Sequence, residues 1–299
     1  MKAALIGPVC KDINIIRGRH YVQPGGVTYY TGQALSFLGI ETVVFCSHGP
    51  HDTGLLDAFR PRTVSLEAEC TIRFENEYPD ENDYDNRVQR AEGHGNAVTP
   101  EHIRAHSLAG FDYIILGPLL HGNTPPELIE NITQNTDAKL ALSMQGMIRH
   151  IECGKVVWKN PENALSALKH VDYAFLDLEE LKFIGRSDSV EASAKVMMEH
   201  GAKNIIVTQG MHGSWLFLGN GPGNTMHKIG AFQPDPLADP TGAGDSYMAG
   251  FIAAQNIPGI AESQKKQGEF AAMTATMSIE NKGPFSGTKE AVLQRLGWI

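Results

Sequence analysis

The chain has 299 residues, 42% of them hydrophobic, which suffices for one large α/β domain or two small ones with a substantial core. Its 34 acids outnumber 25 bases, a formal charge of -9 with no basic patch to offset it, so nucleic acid and anionic membrane are not expected partners. Cys10, Cys46, Cys70 and Cys153 are scattered, lack the spacing of a metal site or disulfide framework, and read as reduced, mostly buried thiols.

At the start, "MKAALIGPV" is apolar for too short a stretch to form the core of a signal peptide. No later apolar run approaches the roughly 18 residues of a membrane helix, so a soluble cytoplasmic protein is expected. Short runs rich in β-branched residues then recur along the chain: "KAALIG", "ETVVFCS", "DYIILGPLL", "KLALSMQ", "DYAFLDL", "NIIVTQG" and "SWLFLG". Longer amphipathic stretches lie between them, which predicts a largely parallel sheet covered by helices. The last two runs frame a hairpin around Met211, His212 and Gly213. A polar cap followed by proline marks helix starts in "TPEHIRAH" and "NPENALSALKH", and Asp188-x-x-Glu191 has the form of a capping box.

Two segments break the alternation, residues 13–24 and 62–97, and are predicted to form strands outside the main sheet, a small lid over a pocket. Within the second, "ENEYPDENDYD" is acidic but lacks the glycine and terminal glutamate of a calcium loop, and reads as a solvated loop. His102 and His106 stand four apart on a predicted helix without a third ligand nearby, which assigns them to the surface or the core edge. No internal repeat is visible. The expected fold class is α/β: a single doubly wound, mainly parallel sheet flanked by helices, with a small β lid.

The stretch "DPTGAGDSYMAGF", residues 239–251, carries the chemistry. Small residues allow the amides of Gly242, Ala243 and Gly244 to converge, and a helix running from about Asp245 adds its unpaired N–H groups and positive dipole end, which makes an anion hole. Phosphoryl transfer asks a protein chiefly for such positioning and charge stabilisation. Asp245 then holds an attacking hydroxyl and accepts its proton, although a carboxylate at a helix N-terminus is expected to have a lowered pKa. Other phosphate motifs, GxxxxGK[ST] and GxGxxG after the first strand, are absent. The turn alone also fits a plain glycine bend with Asp245 as helix cap.

With the fragments around it, this motif resembles the second signature of the ribokinase-like (PfkB) carbohydrate kinases. "GPVCKD" is similar to that family's opening strand, which implies substrate binding by Asp12. "PGGVTYYTGQALSFLG" is similar to its first signature, which places Gly25 and Gly26 along the sugar pocket. "FLDLEEL" resembles the N-x-x-E stretch near magnesium and phosphate, with Glu180 in the glutamate position and Asp177 in place of asparagine, contacting Mg²⁺ through water. The alternative for this stretch is the solvated first turn of a helix. "IIVTQGMHGSWLF" implies Thr208 and Gly210 near ATP, and "AAMTATMSIENKGP" implies Asn281 and Gly283 near its adenine. By the same resemblance Thr241 belongs to the nucleotide site, and Asp239 matches a position that helps bind a monovalent cation in some members, which leaves potassium dependence open.

The resemblance, which spans residues 3–285, implies ATP-dependent phosphorylation of a small sugar or cyclitol, with a lid that also mediates homodimerisation. Tyr30 stands where many members carry an asparagine that bonds a sugar hydroxyl, so an aromatic here either stacks on a ring or closes the pocket. Ser143 or Met144 occupies a place where cyclitol and nucleoside-like members often have an acid, and Arg149 either reaches substrate or phosphate or ion-pairs at a strand end. A nucleoside kinase and a non-catalytic nucleotide- or sugar-binding regulator are the alternative functions.

Overall fold

The computed structural model describes residues 1–16, 18–78, 88–93, 96–219 and 225–299, with the side chains of residues 16 and 78 left aside. Its larger sheet has nine strands in the order Thr225–Ile229, Ser214–Leu218, Asn204–Thr208, Tyr173–Asp177, Lys139–Ser143, Tyr113–Leu116, Lys2–Pro8, Glu41–His48 and Arg62–Glu67. All neighbours run parallel except at the first edge, where the 204–208 and 214–218 strands form an antiparallel hairpin, with Thr208 opposite Ser214, and the 225–229 strand adds to it. Each of the seven apolar runs in the sequence supplies one of these strands. They read as continuous apolar runs because both faces are covered. Ala3 and Leu5 face one core with helices Val27–Phe37, Ala243–Ala254 and Gln264–Ile279, while Ala4 and Ile6 face a second core with Pro126–Asn135, Leu178–Gly185 and Val190–Glu199. No helix among the described residues is long and apolar enough to cross a membrane.

A second sheet of six strands has the order Arg149–Glu152, Lys155–Trp158, Val88–Glu92, Ile72–Tyr78, Cys10–Ile16 and Arg19–Gly25. The lid expected from residues 13–24 and 62–97 therefore exists with different limits. Arg62–Glu67 belongs to the main sheet, where it pairs in parallel with Glu41–His48 as an edge strand with only Leu66 fully buried. One solvated face gives an edge strand the same alternation as a lid strand. The hairpin 149–158, not among the predicted strands, joins the second sheet beside the 88–92 strand. Glu75 to Tyr78, read as part of a solvated loop, continue the 72–78 strand, and residues 79–87, with 94 and 95, fall outside the described residues.

Proline opens the helices Pro100–Arg104 and Pro161–Ala167 as the sequence indicated. His102 is not a free imidazole: its Nδ1 accepts the Thr99 amide at 3.1 Å and completes that helix cap, while His106 packs edge-on to Phe45. The capping box expected at Asp188 does not form: Ser189, one residue on, is the cap of the 190–199 helix and accepts the Ala192 amide at 3.2 Å. None of the four cysteines is in a disulfide; Cys10 and Cys46 are buried, Cys70 half-buried and Cys153 exposed.

The helices 243–254 and 264–279 meet at Gly250. A methyl group there would lie 2.8 Å from Thr274 Oγ1 and 2.9 Å from the Ala271 Cα. Alanine is favoured over glycine in a helix by about 1 kcal/mol, but overpacking of a tight contact costs about 1–3 kcal/mol. Gly250→Ala is therefore expected to lower the melting temperature by a few degrees, measured by thermal unfolding, in spite of its better helix propensity.

Candidate active site

The carboxyl ends of the parallel strands and the second sheet enclose a cleft of about 330 Å³. Crevices outside the carboxyl ends of such strands are the ordinary ligand sites of open α/β sheets. Asp12, Gly26, Tyr30, Arg149, Asp177, Glu180 and Thr208 line it, together with the turn Thr241, Gly242, Ala243, Gly244 and Asp245. Twelve sequence candidates, separated by more than 200 residues, thus come together.

The 243–254 helix begins two residues earlier than expected, with Gly242 as its cap. Gly242 must be glycine for two reasons: its φ of +78° is left-handed, and a Cβ would sit 2.3 Å from the ring of Tyr30. Among the described residues the amides of Gly242 and Gly244 take no backbone carbonyl, whereas the Ala243 amide donates to the Pro240 carbonyl at 3.2 Å. The hole expected from three amides therefore keeps two of them, and the amide of Asp245, third in the helix, is open as well. Beside them the Thr241 Oγ1 is buried without a hydrogen-bond partner. A buried hydroxyl left unpaired is costly, and a phosphate oxygen at this turn would satisfy it along with the amides.

Asp245 departs from expectation in its acidity. Burial pushes its carboxyl up to about 7; Arg149 works against that and Asp12 adds to it. Enclosure outweighs the helix dipole. The backbone carbonyl of Asp245 accepts Thr31 Oγ1 at 3.2 Å, which ties the two glycine-led helices together.

Asp12 is buried at the other wall, and its Oδ1 accepts the Cys10 thiol at 3.2 Å. Gly25 does not line the cleft but lies behind this carboxyl, where a Cβ would fall 2.0 Å from Asp12 Oδ2. Tyr30 is buried, and its hydroxyl accepts Gln23 Nε2 at 3.0 Å, so the ring is a wall between lid strand and glycine turn.

Asp177 and Glu180 form the capping box of the 178–185 helix: Asp177 Oδ1 accepts the Glu180 amide at 2.8 Å and Glu180 Oε2 accepts the Asp177 amide at 3.2 Å. Asp177 is exposed, but Glu180 is only 3% exposed and is no solvated first turn. Its Oε1 accepts Arg149 at 3.3 Å, and burial first, then Asp177, hold its pKa well above the ordinary value. With both Glu180 oxygens engaged, this donor set fits magnesium held through water and not by direct ligation.

The remaining candidates lie outside the cleft. Gly210 is exposed in the hairpin turn; Asn281 is exposed and donates to the Met277 carbonyl at 3.3 Å, with Gly283 beyond it. Asp239 Oδ1 accepts the Thr241 amide at 2.9 Å and so shapes the glycine turn. Sequence reasoning missed Cys10, Phe74, Asn76 and Gln89, all in the lining. Phe74 and Asn76 alternate along one strand, a signal obscured by the acidic residues between and after them.

The pattern that defines the pfkB family carbohydrate kinase matches residues 133–291, more than half of the chain. The chain belongs to this family. It is 30% identical over 137 residues to a nucleoside kinase of Methanocaldococcus jannaschii, a match covering 45% of this chain and 42% of that protein. A cytidine kinase of Thermococcus kodakarensis is 28% identical over 88 residues, 29% of this chain and 30% of the other. The matches thus span less than half the length of these curated relatives. In fold the chain is similar to a pyrophosphate-dependent kinase of the ribokinase family complexed with a pyrophosphate analog and myo-inositol, at TM-score 0.82, 22% identity, 98% of this chain and 99% of that one. It is also similar to an Arabidopsis thaliana ribokinase complexed with ribose and ATP, at TM-score 0.73, 17% identity, 99% and 98%.

A carboxyl with a folded pKa near 7 and an ordinary value of 3.8 binds a proton in the folded state that the unfolded chain has released. Stability is therefore lost as pH rises from about 4 to 7 and stays level above. Asp245→Asn removes that loss. It is expected to leave the melting temperature unchanged near pH 4 and to raise it at pH 8, where the gain in stability is about 1–2 kcal/mol once solvent screening of the half-buried group is allowed for. Thermal melts across this pH range read the effect directly.

Proposed function

We propose that this protein transfers a terminal phosphoryl group from a phosphate donor to a hydroxyl of a small sugar or cyclitol. The observation that carries this reading is the unpartnered Thr241 hydroxyl beside the open Gly242 and Gly244 amides, one residue from a half-buried carboxyl that titrates near neutrality. Asp12 and Gly26 hold the acceptor with one hydroxyl at Asp245. Its oxygen attacks the terminal phosphorus, a new O–P bond forms, and the bridging P–O bond breaks to release the shortened donor. Asp245 takes the hydroxyl proton, and the amides and Thr241 meet the charge that develops on the equatorial oxygens. The raised pKa suits this role, because a base with a pKa near the working pH accepts a proton more readily than an ordinary carboxylate. Mg²⁺ near Glu180 and Asp177 would neutralise the donor phosphates when bound. Arg149 supplies the positive charge of the protein itself on that side of the cleft.

ATP is the donor of the ordinary reading, yet Gly210, expected near ATP, and Asn281 and Gly283, expected near its adenine, lie outside the cleft that the phosphate-facing residues define. Pyrophosphate is therefore the donor to set beside ATP, as the complex of the myo-inositol-binding relative suggests. Potassium near Asp239, a cytoplasmic location, and dimerisation through the second sheet, where Tyr21, Val22 and Val88 are exposed, complete the proposal. A nucleoside kinase is the second reading, favoured by the two curated relatives.

The test is a panel of cyclitols, sugars and nucleosides, each offered with ATP and with pyrophosphate, read by mass spectrometry of the phosphorylated product. Acceptor-dependent turnover is expected with a cyclitol or sugar, and Asp245→Asn should reduce it about 10²–10⁴-fold. Binding without turnover would instead make the protein a regulator. In the wild type kcat/KM should rise with pH to a plateau above about 7, as Asp245 loses its proton.

A further inference from the structure

The second sheet turns an ordered row of amides toward the cleft. Asn14, Asn76 and Gln89 are direct cross-strand partners, and their side chains are joined in sequence: Gln89 Nε2 donates to Asn76 Oδ1 at 2.8 Å, and Asn76 Nδ2 donates to Asn14 Oδ1 at 3.0 Å. Asn14 and Asn76 are 5% and 3% exposed, and Asn76 and Gln89 line the cleft. Two residues along the same strands, and so on the same face, the next row holds Asp12, Phe74 and Ala91. A chain of bonded amides is fixed in orientation, because rotating one would break the bond to the next. Each cleft-facing amide nevertheless keeps a second N–H or carbonyl lone pair to offer.

Three features of this wall define what it takes. Amides donate and accept, as hydroxyl groups do, so a row of them at strand spacing matches a run of hydroxyls on one rigid ring. Among the described residues that line the cleft, Arg149 is the one cation, and it is bonded to Glu180 on the donor side. A phosphate already on the acceptor would meet Asp12 and neutral amides and no positive charge. The cleft's 330 Å³ stands at the low end of ligand sites, about 300–1,000 Å³, and has to hold both acceptor and donor phosphates, which leaves little room for a base.

The geometry points to Asn76 and Gln89, braced by Asn14, as the specificity-determining residues of the phosphoryl-transfer site, selecting a compact, uncharged, polyhydroxylated ring and rejecting sugar phosphates and nucleosides. This rests on the kinase reading and deepens it. A site whose buried polar groups need partners rejects analogues that lack them far more strongly than an apolar pocket does.

The experiment measures steady-state kinetics of the full chain, wild type, Asn76→Ala and Gln89→Leu, with the best neutral polyol, its single-deoxy analogues, its monophosphate and a matched nucleoside. The wild type should prefer the neutral polyol over its monophosphate and over the nucleoside by at least 100-fold in kcat/KM. Each variant should raise the acceptor KM at least tenfold with the donor KM within twofold. At least one deoxy analogue that is poor with the wild type should lose no further activity in a variant, since the partner it lacks is already gone. An acceptor KM unchanged in Gln89→Leu, whose side chain is only half-buried, would overturn the proposal even if Asn76→Ala misfolds. So would a preference for the monophosphate or the nucleoside. Phosphorylation of the panel with indifference to both variants refutes the amide row alone, whereas no turnover of any acceptor refutes the kinase reading beneath it.

Discussion

Among the described residues, four carboxylates, Asp12, Asp177, Glu180 and Asp245, share one cleft with a single guanidinium, that of Arg149. The rest of the site follows from this imbalance. Arg149 is bonded to Glu180 and acts on Asp245 only through the field, so burial wins at both acids and lifts their pKa values. In the proposed reaction an anionic donor entering here finds no lysine among the described lining residues and would instead be met by groups that carry no net charge: the open amides of Gly242 and Gly244 and the hydroxyl of Thr241. Fixed dipoles in a cleft shielded from water stabilise developing charge without having to reorganise.

Those dipoles are aimed by contacts far apart in the chain. Gly242 can pass into its left-handed turn only with the ring of Tyr30 against its Cα, and Asp239 turns the preceding residues by accepting the Thr241 amide. Tyr30 sits on the helix that Gly26 opens, and Thr31 of that helix bonds the Asp245 carbonyl. The two glycine-led helices are therefore tied to one another beside the cleft.

The main sheet was legible because parallel strands buried on both faces must be apolar throughout, and seven such runs stand out between amphipathic stretches. The site was legible where glycines and acids are required by local geometry, as at Gly242, Asp245 and Glu180. What stayed hidden depends on pairing across the chain. Arg62–Glu67 alternates like a lid strand, and only its parallel partner, Glu41–His48, shows that it belongs to the main sheet. The hairpin 149–158 is short and polar, and turns through a left-handed Cys153. Asp177 and Glu180 spell a capping box as plainly as Asp188 and Glu191 do, yet only the first pair forms one; the second loses to Ser189, which stands one residue closer to the helix. Asn14, Asn76 and Gln89 have no sequence signal in common, since their row exists only once three strands are in register. The lowered pKa expected of Asp245 came from its place in the helix and missed its burial in the cleft.

Tyr30 shows how a substitution at a motif position is absorbed. An asparagine there would offer an amide to the acceptor. The tyrosine hydroxyl instead takes the amide of Gln23 from the lid strand, and its ring fills the space under Gly242. The side chain thus serves packing, with lid strand, aromatic ring and glycine turn stacked in that order. With the Tyr30 hydroxyl engaged by Gln23, the cleft-lining amides of the second sheet stand two residues beyond Asp12 and Phe74 on the same face, and in the proposed reaction they are the groups left to meet the acceptor's hydroxyls.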